Sequence, residues 1–142
     1  MENGEAFIEE KEFSAAIGSS RRVLWVDDFP INNAHLIESF KEKGVDIDLS
    51  ISTEDALSKI SSLDYSAVIS DLGRMENGFD NKFAGLELLK LIRKIDEKMP
   101  VLIFAGARGL GSRAKLMEAG AEDVVSSSVS VVKFVEKYAG KS

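Results

Sequence analysis

Two short apolar segments that each end at carboxylates constrain the fold of this chain more than any other feature. Residues 23–26 are apolar and are followed by Asp27 and Asp28. The largely apolar residues 67–70 lead in the same way to Asp71. A continuous apolar run of this length is typical of a strand buried on both faces, as in a parallel sheet. Because parallel strands present their carboxyl ends along one edge, we expect the three Asp side chains to lie close together there.

The three carboxylates would repel one another if they stood at that edge without partners, because like charges a few ångströms apart resist joint ionisation. A hard cation such as Mg²⁺, which prefers oxygen ligands, relieves this repulsion. The pattern therefore indicates a metal site formed by Asp27, Asp28 and Asp71. An alternative interpretation stays open from the spacing alone: the three residues cap helices or turns, as Asp often does after a strand.

The composition is typical of an ordinary soluble globular protein. The chain has 142 residues, of which 44% are hydrophobic and 30% are charged, and this length allows one domain with a substantial core. The formal net charge of -6 argues against non-specific binding to nucleic acid or to an anionic membrane surface. The sequence contains no cysteine, which excludes a disulfide framework and thiol chemistry.

No targeting or membrane-spanning segment is predicted. No apolar stretch approaches the roughly 20 residues that a transmembrane helix needs. The first twenty residues are acidic and lack a compact apolar segment, so they do not match a secretory signal. We therefore expect a cytoplasmic protein that binds neither membranes nor nucleic acid.

Strand and helix patterns alternate along the chain from residue 21 onwards. Five strands are predicted, at 22–26, about 45–51, 66–70, 101–104 and about 123–126. Five helices are predicted, at about 31–43, 54–62, 84–97, about 111–119 and from Ser128 or Ser130 to about 139. This alternation requires right-handed crossovers, and it predicts an α/β fold with a doubly wound five-stranded parallel sheet and helices on both faces.

Three segments outside this alternation need separate interpretation. Residues 1–20 are predicted to be an N-terminal extension, loose or helical, before a domain over 21–142. Residues 72–83, which are polar and contain glycine, are predicted to be a loop. The glycine-rich residues 106–111 look able to cradle phosphate. However, they do not have the dinucleotide spacing and follow the fourth strand instead of the first, so we predict a mobile loop.

Five short motifs follow one another along the chain. They are the acidic pair Asp27-Asp28, Asp71 after the third strand, Gly85-Leu86-Glu87-Leu88-Leu89, Pro100-Val101-Leu102-Ile103, and Ala119-Gly120-Ala121-Glu122-Asp123. Together, in this order and at nearly the usual spacings, they resemble the response-regulator receiver domain of two-component signalling over roughly residues 21–140. The resemblance implies a flavodoxin-like receiver fold with strand order 2-1-3-4-5.

The resemblance also implies roles for the acidic residues. Asp71 takes the position of the phosphoryl acceptor. Asp28 would bind Mg²⁺ directly and Asp27 largely through water, with the Gly73 carbonyl as a further ligand. The phosphoryl donor would be a sensor histidine kinase or a phosphotransfer protein. The domain is not expected to be an enzyme and would signal through contacts with a downstream protein.

Three positions depart from the family pattern. The Ser or Thr at the end of the fourth strand, whose hydroxyl holds the phosphoryl group, is replaced by Ala105. The Lys at the end of the fifth strand, usually followed by Pro, is replaced by Ser127, and Ser128 follows it. The aromatic switch residue three positions before that Lys is replaced by Val124. Two phosphate-holding groups are therefore missing, and we expect the family's switch not to operate in its usual form.

The segment after Asp71 is longer than in the family. Gly85 follows Asp71 by fourteen positions instead of eight, so about six residues are inserted. The insertion brings Arg74 and Lys82 near the site, and Arg108 follows the fourth strand. Each is a candidate to replace the missing cation, although a solvated surface charge is the commoner role for any one of them.

Two aromatic residues, Phe79 and Phe83, lie in this polar insertion. Aromatic side chains are costly to leave in water, so we expect one of them to pack against the domain and hold the insertion near the acidic residues. The alternative, that they face a partner protein, stays open.

Two functions of different class remain open. The first is an atypical receiver that accepts a phosphoryl group on Asp71 in a phosphorelay and signals through protein contacts. The second is a receiver-like interaction module that works without phosphorylation. The three Asp residues favour the first function, whereas Ala105, Ser127 and Val124 favour the second. We favour the first.

Overall fold

The computed structural model describes residues 21–140, and the prediction for residues 1–20 lies outside the described residues. The strands in this part of the chain are β1 (Arg22–Val26), β2 (Asp46–Ser50), β3 (Ala67–Ser70), β4 (Arg74–Glu76), β5 (Phe79–Asn81), β6 (Val101–Phe104) and β7 (Asp123–Val125). Five of them form one parallel sheet in the order β2-β1-β3-β6-β7. Strands β4 and β5 lie outside this sheet. When its five strands are numbered alone, in chain order, their spatial order is 2-1-3-4-5, as predicted.

Helices connect the strands of the sheet and cover both of its faces. They are α1 (Ala34–Glu42), which continues a 3-10 turn at Pro30–Asn33, α2 (Thr53–Ser62), α3 (Ala84–Ile95), α4 (Ala107–Gly111), α5 (Arg113–Glu118) and α6 (Ser128–Ala139). Within residues 21–140, no helix combines the length and apolar character needed to cross a bilayer. The doubly wound α/β fold is confirmed.

Two apolar clusters lie on the two faces of the sheet, because successive side chains of a strand point in opposite directions. In β1, Leu24 and Val26 belong to the cluster that also contains buried residues of α2, α3 and α5. Val23 and Trp25 belong to the cluster that contains buried residues of α1 and α6. The ring centroids of Trp25 and Phe40 in this second cluster are 6.4 Å apart. Burial on both faces explains why the central strands are continuously apolar.

The second strand lies at an edge of the sheet, as the alternating pattern of residues 45–51 indicates. Val45 and Ile47 are buried in the cluster beneath α1 and α6. The alternation fails beyond them, since Leu49 is 37% exposed whereas Ser50 is buried. The apolar cluster on that face ends before Leu49, which lies near the carboxyl end of the strand.

The segment 72–83, predicted as a loop, contains an antiparallel hairpin formed by β4 and β5. The connecting residues Asn77 and Gly78 have φ angles of 53° and 82°. Two consecutive residues with positive φ are typical of a type I′ hairpin turn, for which Asn-Gly is the preferred dipeptide. The loop prediction is wrong here because each strand has only three residues, too few for a period-two pattern to be recognised.

One further region differs from the sequence-based predictions, and another agrees with them. The glycine-rich residues 106–111 include the short helix α4, and the helix predicted at 111–119 is represented by α4 and α5. Helix α6 begins directly after Ser127, whose Oγ accepts a hydrogen bond from the Ser130 amide at 3.2 Å. The helix thus begins at Ser128, one of the two predicted starts, and Ser127 is its N-cap.

Gly85 allows the start of α3 to lie against the end of β3. A Cβ atom at this position would be 2.2 Å from the carbonyl oxygen of Asp71, so a larger residue would displace the backbone. The Gly85 amide also donates a hydrogen bond to the Leu72 carbonyl at 2.7 Å. The buried face of α3 consists mainly of Leu86, Leu88, Leu89 and Ile92. The packing of α3 thereby fixes the backbone at Asp71.

Candidate functional site

The acidic residues follow two strands that are paired in register. Val26 of β1 lies opposite Ser70 of β3, so Asp27 and Asp71 leave the sheet side by side. The Asp27 amide donates a hydrogen bond to the Ser50 carbonyl at 2.9 Å. The Asp71 amide donates to the Val26 carbonyl at 3.0 Å. The backbone ladder therefore continues one residue past each strand and holds both Asp residues at the carboxyl edge of the sheet.

Asp27, Asp28 and Asp71 form a cluster in which one carboxylate oxygen of each lies within 4.8 Å of the others. All three residues are partly buried. Oδ2 of Asp71 is buried and has no hydrogen-bond partner among residues 21–140, which leaves it available to a ligand. Three carboxylate oxygens at this spacing are a donor set that fits Mg²⁺. The structure thus brings together the three side chains that the sequence assigns to a metal site.

The same carboxylates also accept hydrogen bonds from neighbouring loops. Asp27 accepts one from the Phe29 amide at 2.8 Å and one from Nδ2 of Asn33 at 3.2 Å. Asp28 accepts one from the Met75 amide at 2.8 Å. The alternative interpretation as turn caps is therefore correct in part for Asp27, although a cap alone does not require three carboxylates to cluster. The bond from Met75 ties the hairpin to the cluster.

An open cleft of about 530 Å³ lies beside the cluster. Asp28, Asp71 and Gly73 line it, so the residue whose carbonyl is the predicted further ligand lies at the same edge. Ala105 and Arg74 line it as well. The cleft gives molecules from solution access to the carboxylates.

Arg74 of β4 is the cation at this site, and its side chain is completely buried, with an exposed fraction of 0%. Its Nη1 contacts Oδ1 of Asp71 and lies 3.2 Å from Oγ of Ser70. Its Nη2 donates to Oγ1 of Thr53 at 2.8 Å and to the Ala84 carbonyl at 3.4 Å. The insertion therefore places a positive charge directly against the predicted phosphoryl acceptor.

Glu76 fixes the hairpin from the other side of Arg74. Its Oε1 accepts a hydrogen bond from the Thr53 amide at 2.7 Å, and its Oε2 accepts one from the Thr53 hydroxyl at 2.7 Å. Its Oε2 also lies 3.4 Å from Nε of Arg74. Because Thr53 is the first residue of α2, Glu76 satisfies a free N–H group at a positive helix end. Burial alone would raise the pKa of Glu76, but hydrogen bonds from Thr53 and the charge of Arg74 hold this pKa below its usual value.

The aromatic residues contribute less to holding the hairpin than expected. Phe79 is 76% exposed and does not pack against the domain, so of the two predicted candidates only Phe83 remains. Phe83 is 38% exposed, and Nζ of Lys115 lies 5.3 Å from its ring centroid, which places a cation over the ring. Buried ion pairs and hydrogen bonds, rather than a buried ring, fix the hairpin near the carboxylates.

Burial raises the pKa of the Asp71 carboxyl to about 7. The charge and hydrogen bond of Arg74 lower this pKa, whereas the negative charges of Asp27 and Asp28 raise it. Burial has the largest influence, so the ion pair with Arg74 offsets only part of the cost of ionising Asp71. In the metal-free protein at neutral pH, the carboxyl is thus divided between its protonated and ionised forms. A cation bound at the cluster would favour the ionised, nucleophilic form.

The three positions that depart from the family pattern lie directly after β6, within β7 and just beyond β7. Ala105 follows β6, and its amide donates to the Val125 carbonyl at 2.9 Å. The Ser127 hydroxyl caps α6 and lies 3.0 Å from Oγ of Ser130, so it serves the helix. Val124 is buried in the core. Neither the expected hydroxyl nor the expected ammonium group is present at these positions.

Of the three candidate cations, Arg74 is the one that the structure shows at the cluster. Lys82 is exposed, and the side chain of Arg108 lies outside what the structure describes. Thr53 and Glu76 were not among the site residues predicted from the sequence. A usable signal was the Asn-Gly dipeptide: once it defines a hairpin, positions 74 and 76 must share one face of a strand.

Comparison with known families agrees with the fold. A family model described as the response regulator receiver domain matches residues 23–139. None of the curated proteins compared with the chain matches it. The family match therefore covers all five strands of the main sheet except the first residue of β1.

Solved structures also resemble the chain. The response regulator TrrA from Thermotoga maritima, in complex with Mg(2+)-BeF, is 30% identical with a TM-score of 0.65, covering 82% of this chain and 94% of that one. A Francisella response regulator receiver domain is 22% identical with a TM-score of 0.68, covering 83% and 95%. A two-component response regulator from Clostridium difficile is 22% identical with a TM-score of 0.70, covering 82% and 93%.

Proposed function

The chain belongs to the response regulator receiver domain family, and from this membership we propose that Asp71 accepts a phosphoryl group in a phosphorelay. The observation that supports this most directly is the cluster of Asp27, Asp28 and Asp71, whose oxygens lie within 4.8 Å of one another beside an open cleft. Such a cluster offers both a nucleophile and a cation-binding site. The domain then signals through its contacts with another protein.

The proposed step is a transfer between a phosphohistidine and a carboxylate. An oxygen of Asp71 forms a bond to phosphorus while the bond from phosphorus to the imidazole nitrogen of the donor breaks, and the electron pair remains on that nitrogen. Asp28 would hold Mg²⁺ directly and Asp27 largely through water, with the Gly73 carbonyl as a further ligand. Bound Mg²⁺ would supply neutralisation of the charge on the phosphoryl oxygens.

The partners follow from this chemistry. The donor is a sensor histidine kinase or a phosphotransfer protein, and the domain is a phosphoprotein substrate rather than an enzyme. We propose that it acts in the cytoplasm on a downstream protein and not on nucleic acid, in keeping with the net charge of -6. The relative from Thermotoga maritima, whose structure contains Mg(2+)-BeF, supports the choice of Mg²⁺.

Incubation with Mg²⁺ and a small acyl phosphate should add the mass of one phosphoryl group to the protein. The reason is that Asp71 is the clustered carboxylate with a buried oxygen that has no hydrogen-bond partner within residues 21–140. Intact mass spectrometry immediately after desalting measures the adduct, and Asp71→Asn serves as the negative control. Equal modification of the wild type and of Asp71→Asn would place the acceptor elsewhere.

A phosphorylation-independent interaction module is the second candidate function. The observation in its favour is that Ala105 has no hydroxyl and that the Ser127 hydroxyl is engaged as a helix cap, so two groups expected to hold a phosphoryl group are missing. A folded wild-type protein that gains no mass under these conditions, and that also binds no Mg²⁺, would favour this second function.

Mg²⁺ should stabilise the fold by mass action, because the ion would bind the native cluster and not the unfolded chain. At a concentration one hundred times the dissociation constant, the expected gain is about 2.7 kcal/mol. Thermal unfolding with and without Mg²⁺ measures it. Asp28→Asn should abolish the shift, whereas Asp80→Asn, which changes a residue of the same cleft outside the cluster, should retain it. An unmoved wild-type melting temperature at millimolar Mg²⁺ would contradict the metal site.

A further inference from the structure

The contacts of the hairpin place one cation, Arg74, directly against the Asp71 carboxylate. We propose that Arg74 is the cation that holds the phosphoryl group on Asp71. This inference rests on the proposed function, and it assigns to an inserted hairpin a task that the resemblance gives to position 127. It goes beyond charge compensation, because it requires Arg74 to contact the transferred group itself.

The guanidinium group already lies at the atoms where a phosphoryl group would be added. Its Nη1 contacts Oδ1 of Asp71, and Arg74 lines the same cleft as Asp28 and Asp71. A guanidinium carries five N–H donors in a planar fork, which suits the oxygens of a phosphoryl group. The bond from Nη1 to the neutral Ser70 hydroxyl is long, at 3.2 Å. Exchanging it for a bond to a charged phosphoryl oxygen would therefore cost little.

The rest of the side chain is held in advance of any ligand. Its Nη2 is bonded to Thr53 at 2.8 Å, and its Nε lies 3.4 Å from the carboxylate of Glu76. Glu76 is itself anchored by two hydrogen bonds of 2.7 Å from the first residue of α2. A cation that is positioned before the ligand arrives loses little side-chain entropy on binding it.

Other cations are less suited to this role. Lys82, on the same insertion, is exposed. Within residues 21–140, the ion pairs seen with a carboxylate of the cluster involve Arg74 alone. A purely structural role for Arg74 is the competing explanation, since the side chain is completely buried and also neutralises Glu76. The two roles differ in whether Arg74 responds to a ligand on Asp71.

Beryllofluoride with Mg²⁺, a mimic of an aspartyl phosphate, provides the test on the full chain. Isothermal titration should show that Arg74→Gln weakens beryllofluoride binding by at least roughly tenfold, the factor expected when a hydrogen bond to a charged group is lost. Adding Ser127→Lys to Arg74→Gln should restore most of the affinity, because it returns an ammonium group to the family's position. Arg113→Gln, which removes a surface cation paired with Asp123, should leave the affinity unchanged.

A second measurement needs no variant. In the wild type, the Nε–H resonance of Arg74 and the amide resonance of Thr53 should shift when beryllofluoride saturates Asp71. The Thr53 amide donates to Glu76, which pairs with Nε of Arg74, and the Thr53 hydroxyl accepts from Nη2 of Arg74. Amides of residues 122–126 should shift less, because Val124 has no ring to reorient and Ser127 no ammonium group to move. This readout is informative even if Arg74→Gln fails to fold.

The outcomes separate the inference from the function on which it rests. If the wild type binds no beryllofluoride while remaining folded, both the proposed function and the inference are wrong. If the wild type binds it but Arg74→Gln binds equally well, the inference alone is overturned. The inference is also overturned if Ser127→Lys fails to rescue Arg74→Gln and the Arg74 resonance stays unmoved at saturation.

Discussion

Replacing Asp71 by Asn should stabilise the metal-free domain relative to the wild type, and the difference should grow as the pH rises from 5 to 8. Burial raises the pKa of Asp71 from 3.8 to about 7, so the folded state binds this proton more tightly than the unfolded chain does. The stability that this proton contributes is complete below pH 3.8 and is lost as the pH rises through 7. Asn, which is neutral like the protonated carboxyl, has no such loss.

The difference in free energy of unfolding between Asp71→Asn and the wild type should grow by about 3 kcal/mol from pH 5 to pH 8, because each unit of pKa shift corresponds to about 1.36 kcal/mol. Urea unfolding of both proteins across this range, with the metal removed by a chelator, measures it. The range stops at pH 5 because the pKa values of Glu76 and Asp55 are lowered in the folded state. Below pH 5, protonation of these two carboxylates would also destabilise the domain. Asp123→Asn, which removes an exposed carboxylate, should keep the wild-type slope. Parallel pH profiles for the wild type and Asp71→Asn would show that burial does not raise this pKa.

A cation bound at the cluster would offset the cost of ionising Asp71. Ionising Asp71 without a metal costs stability, since Arg74 offsets only part of the burial and of the repulsion from Asp27 and Asp28. Mg²⁺ bound as proposed would remove that cost and should therefore flatten the wild-type pH profile. Metal binding at the proposed site would then be coupled to the ionised form of Asp71, which is the form that can attack phosphorus.

The main sheet and the acidic cluster could be predicted because both depend on local pattern and on register. Apolar runs of four or five residues define strands buried on both faces, and parallel register then places Asp27 beside Asp71. No long-range information is needed for either step. The edge strand was harder to predict in detail, because Leu49 and Ser50 at its carboxyl end do not follow the alternation of the strand.

The hairpin and its buried network could not be predicted in the same way. Three-residue strands show no periodicity, and only the turn residues Asn77 and Gly78 indicate them. The partners of Arg74 come from α2, and Thr53 is separated from Arg74 by 21 positions, so sequence spacing does not reveal the contact. The general cost of exposing an aromatic ring suggested Phe79 or Phe83 as the anchor, but a buried charge network can position a hairpin while a ring such as that of Phe79 stays in water.

Replacing Arg74 by Ala should lower the free energy of unfolding by about 3 kcal/mol, one of the largest effects expected for a single substitution in this domain. The change leaves Glu76 and Asp71 partly buried without their common counter-ion, and it removes the hydrogen bonds of Arg74 to the Thr53 hydroxyl and the Ala84 carbonyl. Breaking a buried ion pair by removing one partner costs about 3–5 kcal/mol. The lower end applies here because Asp71, whose pKa is already raised, can take up a proton instead of staying charged.

The matched control is Arg113→Ala, which breaks the ion pair of Arg113 with Asp123, where both side chains are nearly half exposed, at 46% and 45%. This loss should cost under about 1 kcal/mol, because water screens exposed charges. Urea unfolding at pH 7 compares the two variants under the same conditions. The cost of Arg74→Ala should fall at pH 5, where Asp71 is protonated and needs no counter-ion, whereas that of Arg113→Ala should change little. Equal costs for the two variants would mean that the hairpin does not depend on its buried guanidinium.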